Sequence, residues 1–155
     1  MPFKSTHPLS IAVAAVLVTA AAPTNADEPG LAILMERIQT YTHKLQLSIE
    51  AGNAQLADFY LHELEETSEY VAEEIESYDG HAVGPLMASM LLPALERLEK
   101  PLKSGAPDAW PAVEQRFGEV IRACNDCHVA TDHGYVRITP AASNPFPQDF
   151  SPLPD

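Results

Sequence analysis

Between Leu31 and Ser77 the chain carries one glycine, Gly52, and no proline. Almost nothing in that stretch interrupts an α-helix, and its apolar residues keep helical time. Leu31, Leu34, Ile38, Tyr41, Leu45 and Ile49 recur at steps of three and four, which predicts one helix over 31–51. Gly52-Asn53 predicts a stop followed by a cap. Leu56, Tyr60, Leu64, Val71 and Ile75 predict a second helix over 54–77, with Glu63, Glu65, Glu66, Glu69, Glu73, Glu74 and Glu76 as its solvated face. Asp79-Gly80 marks a turn. A third helix is expected over 83–102, with Pro85 near its start and a kink or break at Pro93. Residues 103–107 read as a loop. A fourth helix is expected from Asp108 or Ala109, with Pro111 in its first turn, where proline costs little. Val113, Phe117, Val120, Ile121, Cys124 and His128 follow at helical steps, and Gly134 ends that helix at the latest. The alternation that a sheet needs is missing. Short loops favour antiparallel neighbours, so the expected fold is all-α, an antiparallel four-helix bundle.

The two ends read differently. Residues 1–26 have the pattern of a secretory signal: Lys4, an apolar run from Leu9 to Ala22, and Thr24-Asn25-Ala26 before Asp27. That run is short for a bilayer span. The expected organisation is a signal at 1–26, a helical domain at 27–133 and an irregular Pro-rich tail at 134–155. The tail's last sixteen residues, 140–155, hold five of the 14 prolines and so cannot be helical. Tyr135-Val-Arg-Ile138 is expected to be a short extended piece.

Nine Lys and Arg stand against 22 Asp and Glu, a net charge of −13. Cleavage after Ala26 would leave eight bases against the same acids, or −14. Such a chain lacks the basic face that neutralises phosphates, which argues against nucleic-acid binding. No membrane contact is expected after cleavage. Two cysteines are too few for a disulfide scaffold.

Both cysteines lie in Cys124-Asn125-Asp126-Cys127-His128, the C-x-x-C-H attachment pattern of haem c. On a helix, spacings of three and four put both thiols and the imidazole on one face. The thiols can then add to the two haem vinyl groups while the imidazole takes the iron. Other readings of the same residues are a redox thiol pair, a zinc site with His133 as a further ligand, and a disulfide strained within one turn. Flanking Arg122 and Arg137 can pair with haem propionates. Phe117 is expected to line the haem, with Tyr41 as a weaker candidate.

The run Phe117-Gly-Glu-Val-Ile-Arg-Ala-Cys-Asn-Asp-Cys-His128, on the last of four helices, resembles the class II c-type cytochromes, the group that contains cytochrome c-prime. The resemblance covers about residues 28–131. It implies one covalent haem c, with Cys124 and Cys127 as thioether residues and His128 as proximal ligand. It also implies a periplasmic site in a Gram-negative bacterium, and a homodimer is common in bundles of this kind. The chain departs from the family after the motif, where Val129-Ala-Thr-Asp-His-Gly134 and the long tail follow. Thr42-His-Lys-Leu45 and the run Leu56–Glu66 point to a branch of its own.

The sixth iron ligand sets the function. In an antiparallel bundle the haem faces the early part of the first helix, which offers Met35 and His43. The two are eight residues apart, about 12 Å along the axis. Met35 sits at the edge of the apolar stripe. His43 falls off the stripe but is the stronger ligand for ferric iron. His133 and His81 are lesser candidates, His62 is expected at the surface, and Met87 and Met90 in the core. Having both Met35 and His43 available favours an electron-transfer protein, not an enzyme, steered by its negative charge to a basic face on a redox partner. The alternatives are a five-coordinate haem that binds NO or CO, and a peroxidase-like site using His43 and Glu36.

Overall fold

The computed structural model describes residues 30–154; the signal expected at 1–26 lies outside them. Four helices form. Helix α1 is Leu31–Glu50 and α2 is Ala54–Glu74. Helix α3 is a composite of Val83–Leu86, a π-helical segment Met87–Leu91, and Leu92–Ser104. A 3₁₀ turn, Pro107–Ala109, leads into α4, Trp110–Ala130. Among the described residues no strand forms; Tyr78 and His81 make one isolated bridge.

The sequence signals act where they stand. Gly52 takes a left-handed φ of 70°, and the Asn53 N–H bonds the Ser48 carbonyl at 2.9 Å, a helix-closing arrangement that favours glycine. Asn53 then caps α2 by accepting from the Leu56 N–H at 3.0 Å. Pro93 does not end α3. The wider π turn before it absorbs the missing N–H and the steric demand of the ring, and the helix continues through Pro101 to Ser104. Helix α2 stops three residues before the expected end.

The core takes the predicted stripes. Leu34, Ile38, Leu45 and Ile49 of α1 meet Tyr60, Leu64 and Val71 of α2, Leu95 and Leu98 of α3, and Val113, Phe117 and Val120 of α4, all buried. Met87 is buried as expected, but Met90 is only half-buried, on an outward face of α3. Helix α1 packs along α2, and α3 packs against both α2 and α4. Helices α1 and α4 scarcely touch.

The tail fills part of that opening. Residues 131–154 carry no helix or strand; of the extended piece expected at 135–138, Tyr135 and Val136 belong to a turn closed by the Val136 N–H on the His133 carbonyl, and Arg137 and Ile138 carry no regular structure. The tail then crosses α1 and α2. Gln46 receives the Ala141 N–H at 2.7 Å and donates to the Ala141 carbonyl at 3.3 Å. Tyr60 donates to Gln148 at 2.7 Å, Asn53 donates to the Phe150 and Ser151 carbonyls, and Phe150 is buried.

Candidate functional site

Cys124, Cys127 and His128 lie near the end of α4, beside the opening between α4 and α1. A cavity of about 340 Å³ lies there. Its walls are the two cysteines and His128 from α4, Ala32, Met35, Glu36, Ile38, Gln39 and Thr42 from α1, Met87 and Leu91 from α3, and Ile138 from the tail. An adjoining space of about 270 Å³ shares Ala32, Met35, Cys127 and His128 with it and extends to Tyr78, Val83 and His133. A third space of about 310 Å³ shares Gln39, Thr42 and Ile138 with the first and adds His43, Gln46 and Arg137. The first two are walled mainly by apolar side chains. The third is more polar than the other two.

The imidazole of His128 is oriented by a backbone oxygen. Its Nδ1 lies 2.7 Å from the Val136 carbonyl. A carbonyl only accepts, so Nδ1 carries the proton, and in the neutral ring Nε2 keeps its lone pair. The local fold makes this possible. Asp132 takes a left-handed φ of 59°, the His133 N–H bonds the His128 carbonyl at 2.8 Å, and the Asp132 N–H bonds the Val129 carbonyl at 3.2 Å. This is a Schellman closure. It turns the chain back on α4 four residues after His128, so the helix ends at Ala130, ahead of the limit set by Gly134.

The cysteines are not paired with each other. Burial pushes the Cys124 thiol up to about 12, with the neighbouring Cys127 adding to the shift, and burial raises Cys127 as well. Both thiols are therefore protonated at neutral pH. A redox-active C-x-x-C thiol has the opposite character: it is depressed, typically by a helix N-terminus, whereas this pair sits at a C-terminal end. Among the described residues no group of three or more His, Cys, Asp or Glu is placed to hold a metal ion by itself.

No family model matches the chain, and no curated protein or solved structure does.

The other expected residues divide. Met35 lines both apolar spaces together with His128. His43 does not reach them: its Nε2 faces the Ser143 carbonyl at 3.2 Å and its ring packs edge-on against Phe146. Arg137 borders the polar space. Arg122, expected beside the haem, instead borders a shallow depression with Met90, Arg97, Glu119 and Asp126. One step along the helix from Ile121, it projects from a different side of α4 than Cys124 and His128. Phe117 is buried but lines none of the three spaces, being nearly two turns before Cys124, a distance that hands it to the core. Tyr41 packs on Tyr60, away from the cavity. His81 and His133 face each other, with ring centres 6.5 Å apart, and His81 lies 3.7 Å from Asp132. His62 is at the surface beside Glu66. Sequence reasoning missed Met87, Leu91 and the Val136 carbonyl. The π segment carries the first two to the cavity, and no side-chain pattern announces a backbone oxygen.

Proposed function

We propose that the chain is a monohaem c-type cytochrome that transfers electrons in the periplasm, built as an antiparallel four-helix bundle. The observation that carries this reading is the oriented His128 imidazole, Nδ1 bound to a backbone carbonyl, on the wall of an apolar cavity that both cysteines share. Haem ligation needs that tautomer, and the hydrogen bond to the outer nitrogen makes the inner one a better donor.

The residues fit the group. Cys124 and Cys127 would hold it through thioethers, and the apolar walls would take the macrocycle. Arg137, in the adjoining polar space, would pair with the carboxylates. Met35, on the cavity wall shared with His128, would be the sixth ligand. When bound, haem c supplies one-electron Fe(III)/Fe(II) chemistry, and a Met/His pair raises its potential. The chain's own residues would hold the histidine tautomer and surround the group with mainly apolar side chains. The acidic surface would steer the molecule to a basic face on its redox partner.

The test is an optical spectrum of the secreted protein, oxidised and reduced, with and without carbon monoxide. A low-spin reduced spectrum that carbon monoxide leaves unchanged supports the reading. A high-spin spectrum that shifts on adding carbon monoxide overturns electron transfer in favour of gas binding. Protein that stays colourless in a host able to attach haem c overturns both.

A further inference from the structure

The pentapeptide contains two residues that the haem reading leaves unused. Asp126 is exposed. Asn125 is half-buried, and its amide is fully engaged. Its Oδ1 accepts from the Ile138 N–H at 2.8 Å, and its Nδ2 donates to the Ile138 carbonyl at 2.9 Å and to the Ile121 carbonyl at 3.0 Å. An amide that pairs with both backbone groups of one residue fixes that residue in position and rotation, much as a neighbouring strand would.

This grip bears on His128. The loop between α4 and Ile138 is held at its start by the Schellman closure at Asp132 and at its end by Asn125. Val136 lies between, and its carbonyl is the partner of His128 Nδ1. The side chains of the loop's middle hold it only lightly: Tyr135, Val136 and Arg137 are all exposed, and Tyr135 packs on His133 with ring centres 5.7 Å apart. The internal bond from the Val136 N–H to the His133 carbonyl, 2.8 Å, shapes the turn but does not tie it to α4.

We infer that Asn125 is a positioning residue: by pinning Ile138 it holds the Val136 carbonyl on His128 and keeps the imidazole in its ligating tautomer. The functional half of this rests on the haem reading; the clamp itself does not.

The experiment compares the full secreted chain with Asn125→Ala in two ways. Trypsin cuts after arginine, and the Arg137–Ile138 bond is the one that the clamp secures. Cleavage there is expected to rise about tenfold in Asn125→Ala, because two hydrogen bonds no longer oppose local opening. Nitrogen NMR of the His128 ring is expected to change from a single Nδ1–H tautomer to a mixture. Ile138→Pro, which lies outside every helix, removes the N–H donor together with the Ile138 side chain while leaving Asn125 and α4 unaltered, and is expected to shift the ring signals in the same direction. That variant separates the clamp from any damage to α4. Faster cleavage with an unchanged imidazole would reduce Asn125 to a tail anchor and overturn the inference, as would no change in either readout. Cleavage reads the clamp with or without haem; where iron holds Nε2 and so fixes the tautomer, the ring readout is the Nδ1–H proton, expected to exchange faster with solvent in both variants. A haem-free wild type would sink the functional reading while the clamp still stood or fell on its own signals.

Discussion

On the proposed haem reading two α1 side chains compete for the sixth iron position, and their surroundings separate them. Met35 shares a cavity wall with His128, and the sulfur of a flexible side chain adapts to such a gap. His43 is one turn beyond Gln39, and the tail has claimed it through the Ser143 carbonyl and Phe146. Met35→Ala is therefore expected to convert a low-spin spectrum into a high-spin one that carbon monoxide shifts. His43→Ala is expected to leave the spectrum as it was. The reverse pattern in reduced and oxidised spectra would move the sixth ligand to His43.

At the scale of elements, α3 meets α2 at a point with no room for a side chain. A Cβ on Gly84 would come within 2.7 Å of the Ala72 carbonyl oxygen and 2.8 Å of that of Ile75. Both are backbone atoms at the end of α2, so neither can rotate away. Gly84→Ala is expected to cost roughly 2 kcal/mol, read as a lower urea midpoint. The same pair of helices holds Glu65. Burial, reinforced by Glu99, pushes its carboxyl from the ordinary 4.5 up to about 7, while Lys103 pulls the other way. The folded state therefore binds this proton more tightly than the unfolded state. Its stabilising contribution is full below pH 4.5 and is lost as pH rises through about 7. Glu65→Gln keeps the neutral form throughout. The urea midpoint of Glu65→Gln should gain on that of the parent between those pH values and then run parallel to it.

Across the whole molecule, the tail does what a closer pairing of α1 with α4 would otherwise do. It supplies Ile138 to the cavity wall, Val136 to the histidine and Phe150 to the core. Phe150→Ala removes the buried ring at the tail's far end and is expected to cost about 3 kcal/mol. Its unfolding midpoint should fall in urea, and the helix content by circular dichroism before the transition should stay unchanged. A change in helix content would mean that the tail shapes the helices instead of covering them.

The sequence by itself determined the four helices, most of their buried faces and the grouping of Cys124, Cys127 and His128. These follow from local rules: 3.6-residue periodicity, glycine at a left-handed position, and spacings of three and four on one helix. Tertiary structure decided the rest. Arg122 and Phe117 are close to the motif in sequence, but their helical angles and heights send them elsewhere. Arg137 and Val136 reach the site because Asp132 reverses the chain, and an aspartate in a left-handed conformation is a weaker signal than a glycine. Whether His43 faced the cavity or the tail depended on where residues some hundred positions later came to rest. Periodicity describes which side of a helix is apolar; only packing says what that side meets.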